Sequence, residues 1–126
     1  MLHRRYIAVI DDDESLCRSL SRLLNVAGYR PVTFLSAEDF LQDTQRPEFG
    51  CLLIDIQLGG MSGIELHRRL LADGVATPVI YITAFDDPSA RLDAENSGAA
   101  GFFRKTDAGQ DILKAISRVT GAPQPT

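Results

Sequence analysis

Asp11, Asp12, Asp55, Thr83 and Lys105 are the residues whose chemistry calls for an explanation, because each stands just beyond a short apolar run. Tyr6-Ile-Ala-Val-Ile10 leads into Asp11 and Asp12, Cys51-Leu-Leu-Ile54 into Asp55, Pro78-Val-Ile-Tyr-Ile82 into Thr83, and Gly101-Phe-Phe-Arg104 into Lys105. Three carboxylates brought together repel and raise one another's pKa unless a cation sits between them. Hard oxygen donors with spare water positions suit Mg²⁺. A carboxylate facing such an ion can attack phosphorus and form an acyl phosphate, with the metal and a lysine neutralising the transferring oxygens. Lys105 is the available lysine; the other, Lys114, lies in the middle of an expected helix. A Thr83 hydroxyl can donate to a phosphoryl oxygen. The plainer account, in which Asp11 to Glu14 merely cap a helix, needs only one of those acids.

The elements that must position these residues alternate. Apolar runs at 6–10, 51–54, 78–82 and 101–104 have the continuous character of strands buried on both faces. Arg30-Pro-Val-Thr-Phe-Leu35 is a further strand, and Pro31 near its start assigns it to an edge. After the first strand, Leu16, Leu20, Leu23, Leu24 and Ala27 recur at helical spacing up to Gly28. Ser36 suits the N-cap of a helix over 37–43, and Gly63 to Asp73 is amphipathic with Ile64, Leu66, Leu70 and Leu71 available to the core. Asp86-Asp-Pro-Ser opens a fourth helix in which Leu92 is the one large apolar residue, so it should pack weakly. A last helix over 107–119 turns Ile112, Leu113, Ile116 and Val119 inward. Strand–helix alternation of this kind builds a parallel sheet with helices on both faces, and ligands bind beyond the carboxyl ends of its strands.

At 126 residues and 44% hydrophobic content the chain supports one domain with one sizeable core, assigned to 1–120, with 121–126 as a flexible tail or the start of a linker. A net charge of −4 argues against a nucleic-acid surface, and no apolar stretch reaches the roughly 18 residues of a membrane span. With no signal-peptide core at the amino terminus, a cytoplasmic location is expected. Cys17 and Cys51 are expected as reduced core thiols. His3 and His67 lack partners at ligand spacing and are read as surface residues.

Taken together, Ile10-Asp11-Asp12, Asp55 with Met61-Ser-Gly63 after it, Thr83-Ala84 and Phe102-Phe-Arg-Lys105 resemble a response-regulator receiver domain of two-component signalling, in the FixJ style of the CheY-like superfamily. The resemblance covers essentially the whole chain. It implies a doubly wound five-stranded parallel sheet in the flavodoxin-like order 2-1-3-4-5, with five helices in three α/β/α layers. It also implies a phosphoacceptor switch, not an enzyme, that catalyses its own phosphorylation and dephosphorylation. Asp55 would accept a phosphoryl group from a histidine kinase or phosphotransfer protein. Mg²⁺ (or Mn²⁺) would be held by Asp11, Asp12, Asp55 and the backbone carbonyl of Gln57. Lys105 would contact the phosphoryl group, and Thr83 and Phe102 would form the switch. The face of the fourth helix, fifth strand and fifth helix would then change, controlling an output, transcription in a longer protein, and offering a homodimer surface. Direct contact with nucleic acid or membrane is not expected of this domain, and Asp13 is assigned to capping or solvated charge.

Three departures from the family pattern carry physical consequences. Thr106 follows Lys105 where proline is usual, and a cis bond before a non-proline residue costs about 2.5–4 kcal/mol, which favours a trans bond and a different placement of Lys105. Leu58-Gly59 replaces methionine-proline, so Gly59-Gly60 makes the loop harder to order. Phe85 stands where relatives are often polar and, with Gln57, borders the path of attacking water, so both are expected to set the phosphoryl lifetime. Of the phenylalanine pair, Phe103 is assigned to the core and Phe102 to the switch.

Two other functions compete. Asp11-Asp12-Asp13 is similar to the Asp-x-Asp motif of haloacid-dehalogenase-type phosphatases, with Asp11 as nucleophile. That reading leaves Asp55 without a task, finds no acidic pair after Lys105 and has no room for a cap. A nucleotide- or flavin-binding module would want a glycine- or hydroxyl-rich phosphate loop after the first strand, where this chain has four acids.

Overall fold

A computed structural model describes residues 5–84 and 88–121. Five strands and five helices alternate along it: β1 (Tyr6–Ile10), α1 (Glu14–Val26), β2 (Arg30–Phe34), α2 (Ala37–Gln42), β3 (Cys51–Ile54), α3 (Gly63–Ala72), β4 (Val79–Thr83), α4 (Pro88–Asn96), β5 (Gly101–Arg104) and α5 (Gly109–Thr120). All pairings are parallel, in the order β2-β1-β3-β4-β5. This is the doubly wound order expected, with Pro31 on the edge strand β2.

The sheet carries a core on each face, because successive side chains of a strand point to opposite sides. Ala8, Ile10, Leu52, Ile54 and Tyr81 join Phe34, Phe40, Phe49, Leu66 and Leu70 on the α2–α3 side. Ile7, Val9, Leu53, Ile80 and Ile82 meet Leu20, Leu24, Ile112, Leu113 and Ile116 of α1 and α5 on the other. Both thiols lie in this second core and are free. Burial, first of all, pushes Cys17 up to about 11 and Cys51 up to about 12, so neither is a thiolate at neutral pH.

Local signals account for the helix starts. Ser36 Oγ accepts from the Asp39 N–H at 2.9 Å, and Ser62 Oγ accepts from the Glu65 N–H at 3.1 Å. Asp13 caps α1, accepting from the Leu16 N–H at 3.2 Å. α5 begins two residues later than its periodicity suggests, because the Asp107 carboxylate turns back to accept from the Arg104 N–H at 2.8 Å.

Three expectations need correction. His67 is buried, not on the surface: it is 4% exposed and its Nδ1 lies 3.1 Å from the Tyr81 hydroxyl. Leu71, assigned to the core, belongs to the last turn of α3 and is 48% exposed. Phe103 is only half-buried, as is Phe102, because β5 is an edge strand; the two pack on opposite faces. The weak packing expected of α4 is borne out: Ala94 is its buried residue and Leu92 is 57% exposed. His3, Phe85, Asp86 and Asp87 lie outside the described residues, as does the tail from Ala122.

Candidate functional site

Strand register brings the site together. Ile10 pairs with Ile54, so Asp11 and Asp55 leave neighbouring strands at one level, and the Asp55 N–H donates to Ile10 O at 3.0 Å. Thr83 pairs with Arg104, and the Lys105 N–H donates to Thr83 O at 2.9 Å. Thus four strand ends converge on the carboxyl edge of the sheet, with Asp11, Asp55 and Thr83 buried and Asp12 exposed.

One carboxylate oxygen from each of Asp11, Asp12 and Asp55 lies within 4.8 Å of the other two. Lys105 Nζ is 3.1 Å from Asp11 Oδ2 and 3.2 Å from Asp55 Oδ2. Backbone donors fix the remaining oxygens: Asp11 Oδ1 accepts from the Asp13 N–H at 2.8 Å and Asp55 Oδ1 from the Gln57 N–H at 3.0 Å. The bond between Lys105 and Thr106 is trans, like every peptide bond among the described residues, and the lysine reaches both acids.

The electrostatics are unbalanced. Burial, then the charge of Asp11, raises Asp55 to about 6, against the opposing effects of the Gln57 N–H and Lys105. Asp11 is raised too, chiefly by burial. For Lys105, burial disfavours the ammonium, but bonding and attraction to the two carboxylates outweigh it and hold the pKa above its usual value. Asp11 and Asp55 thus share one lysine, with the Asp12 carboxylate beside them. A donor set of carboxylate oxygens with one exposed member fits a hard divalent cation, which would supply the missing positive charge.

Two further contacts shape the loop after Asp55. Gly63 sits against the Asp55 backbone: a Cβ there would lie 2.3 Å from Asp55 O and 2.7 Å from Ile54 Cγ2. Glu38, on α2, accepts from the Met61 N–H at 3.1 Å across 23 residues of sequence. The glycine in Met61-Ser-Gly63 was a visible signal for the first; nothing local signals the second. Phe102 lies on the α3–α4 side of the sheet with the Arg91 guanidinium 5.2 Å from its ring centroid.

The fold and this pocket define a class: doubly wound α/β domains with a lysine-bearing acidic site at the carboxyl edge of the sheet. Comparison with known proteins narrows it. The chain belongs to the response regulator receiver domain family, whose model matches residues 7–117. It is 36% identical over 110 residues to the response regulator protein TmoT of Ectopseudomonas mendocina, covering 87% of this chain and 50% of that protein. It is 34% identical over 105 residues to the transcriptional regulatory protein FixJ of Bradyrhizobium diazoefficiens, covering 83% and 51%. The chain therefore spans about half the length of the curated relatives it matches. Among solved structures, FixJ-N superposes with a TM-score of 0.83 at 29% identity, over 96% of this chain and 97% of that one. The response regulator StyR gives 0.83 at 36% identity, over 92% and 59%. No helix among the described residues is long and apolar enough to cross a membrane.

Proposed function

We propose that this receiver domain takes a phosphoryl group onto Asp55 from a histidine kinase or phosphotransfer protein, in a reaction requiring Mg²⁺ or Mn²⁺. The observation that carries this reading is the position of Lys105 between Asp55 and Asp11, 3.2 and 3.1 Å away, with Asp12 beside them. Asp11, Asp12, Asp55 and the Gln57 carbonyl would hold the cation, which would neutralise phosphoryl oxygens during transfer. Asp55 Oδ2 attacks phosphorus, the bond from phosphorus to the donor nitrogen breaks, and an acyl phosphate forms. Asp55 Oδ1 stays oriented by the Gln57 N–H, and Lys105 meets the incoming charge.

Thr83 would donate its hydroxyl to the phosphoryl group, drawing Phe102 inward and altering the face of α4, β5 and α5. The slight anchoring of α4 supports movement there. That face would serve as a homodimer surface or meet an output, transcription in a longer regulator. Gln57 and Phe85 would set the phosphoryl lifetime. We assign 1–120 to the domain, 121–126 to tail or linker, and the whole to the cytoplasm, with no direct contact to nucleic acid or membrane.

Intact mass after incubation with acetyl phosphate tests the reaction. A gain of one phosphoryl group that requires Mg²⁺ and disappears in Asp55→Asn is expected. An adduct that persists in that variant would move the nucleophile to Asp11.

A further inference from the structure

The loop from Ile56 to Ser62 carries the Gln57 carbonyl and contains adjacent glycines, with Gly60 at φ +80°. Such a loop is costly to order. Two of its tethers are internal: Gln57 N–H to Asp55 Oδ1 at 3.0 Å, and Gly63 N–H to Ile56 O at 2.9 Å. Another comes from a different part of the chain, where Glu38 Oε2 accepts from the Met61 N–H at 3.1 Å. That bond holds the Glu38 carboxyl below its usual pKa, so it is a carboxylate acceptor at neutral pH.

Glu38 is firmly mounted. It lies in the first turn of α2, between the Ser36 cap and Phe40, and α2 is pinned by buried Ala37 and Phe40. Phe40 in turn packs edge-on against Phe34 at 5.0 Å between centroids. The fit at the loop is close: a Cβ on Gly60 would stand 2.9 Å from Glu38 Oε2. Gly60 thus leaves room for the carboxylate that restrains the loop it loosens.

We infer that Glu38 is a positioning residue of the phosphoacceptor site: its carboxylate straps the β3–α3 loop to α2 and so fixes Gln57 beside Asp55. It touches neither phosphoryl group nor cation and acts through the Met61 amide. The inference deepens the phosphoacceptor reading above and rests on it where Gln57 is named as a ligand.

Amide hydrogen exchange in the metal-free chain, compared among wild type, Glu38→Ala and Glu38→Gln, is the direct test, with Mg²⁺ affinity measured by titration on the same samples. Glu38→Ala should speed exchange at Met61 and at Gln57 by about tenfold, leaving Leu53 in β3 unchanged. It should also weaken Mg²⁺ binding by about threefold to tenfold. Glu38→Gln keeps an acceptor oxygen and should restore most of both. Gly59 has nothing within 4 Å of a Cβ, so adding Gly59→Ala to Glu38→Ala should recover part of the loss by stiffening the loop. Unchanged exchange at Met61 would overturn the strap, and faster exchange at Met61 with Gln57 unchanged would confine Glu38 to a local brace. If the wild type binds no Mg²⁺, the cation reading fails by itself, and exchange at Gln57 alone decides the role of Glu38.

Discussion

Lys105 Nζ stands 3.2 Å from Asp55 Oδ2, on the side chain of a lysine that is 19% exposed. It is the positive charge within contact of two buried acids. Replacing it with methionine keeps most of the volume and removes the charge. Phosphorylation by acetyl phosphate should slow by on the order of a hundredfold, the scale set by loss of one preorganised donor to a charge-bearing oxygen. The Asp55 carboxyl should titrate above the value of about 6 found with the lysine present. Carbon-13 carboxyl titration reads the second effect, and a downward shift would mean that Lys105 does not face Asp55 in solution.

The raised pKa of Asp55 gives a pH dependence of definite sign. An acid titrating near 3.8 when unfolded and near 6 when folded binds its proton more tightly in the folded state. Between those values stability therefore falls as pH rises, and above 6 the folded state carries the full cost. In the absence of metal, Asp55→Asn should be more stable than wild type at pH 7 by on the order of 1 kcal/mol. At pH 4 that advantage should shrink toward zero. Urea unfolding of both proteins in EDTA at the two pH values checks this; an advantage independent of pH would assign the effect to something other than titration.

His67 contributes the opposite slope. Burial holds its pKa below 6.5, so the unfolded chain takes up the proton first as pH falls. Stability from this group is present above 6.5 and is lost as pH falls below it. His67→Phe should cost about 1–2 kcal/mol at pH 8, because the Tyr81 hydroxyl loses its 3.1 Å partner, and distinctly less at pH 5. Among the described residues the remaining partner of that hydroxyl is Ser97 Oγ at 3.4 Å, which itself donates to Ala94 O of α4 at 2.7 Å. Exchange of the α4 amides should accordingly rise in Tyr81→Phe, and α4 amides indifferent to that change would mean the chain of hydroxyls does not hold the helix.

The parts of this molecule that were legible in the sequence share a physical cause. Strands buried on both faces are continuous apolar runs, and a charged residue ending such a run must leave the sheet, so Asp11, Asp55 and Lys105 announced one edge. The pairing that sets them level could not be read locally: it depends on Ile10 meeting Ile54, which only the assembled sheet decides. His67 is not legible in this way, because a histidine on an amphipathic helix has no intrinsic side. Its burial follows from the hydroxyl of Tyr81, one of the largest fully buried side chains, waiting on β4. For Phe103, alternation gives the face of the strand but not whether the strand lies at the rim of the sheet. Glu38 was invisible for the same reason in another form, since its partner is an amide 23 residues away with no side-chain signature.

Gly63 is the position where backbone packing and chemistry meet most tightly. A Cβ there would come within 2.3 Å of Asp55 O and 2.7 Å of Ile54 Cγ2, and the first of these is backbone that cannot swing aside. The Gly63 N–H is also committed to Ile56 O at 2.9 Å, so α3 cannot retreat without losing that bond. Gly63→Ala should therefore destabilise the fold by about 2–3 kcal/mol, the range of overpacking in a close-packed interior. What folds should also phosphorylate slowly, because relief of the clash displaces Asp55, the proposed phosphoacceptor. Gly59→Ala is the control within the same loop: with open space around its Cβ, it should be neutral or stabilise by a few tenths to about 1 kcal/mol. Urea midpoints of the two variants separate these outcomes. A Gly63→Ala midpoint equal to wild type would show that α3 does not press on β3, and the account of how Asp55 is held would have to be rebuilt from the Ile10 carbonyl, the Gln57 amide and Lys105.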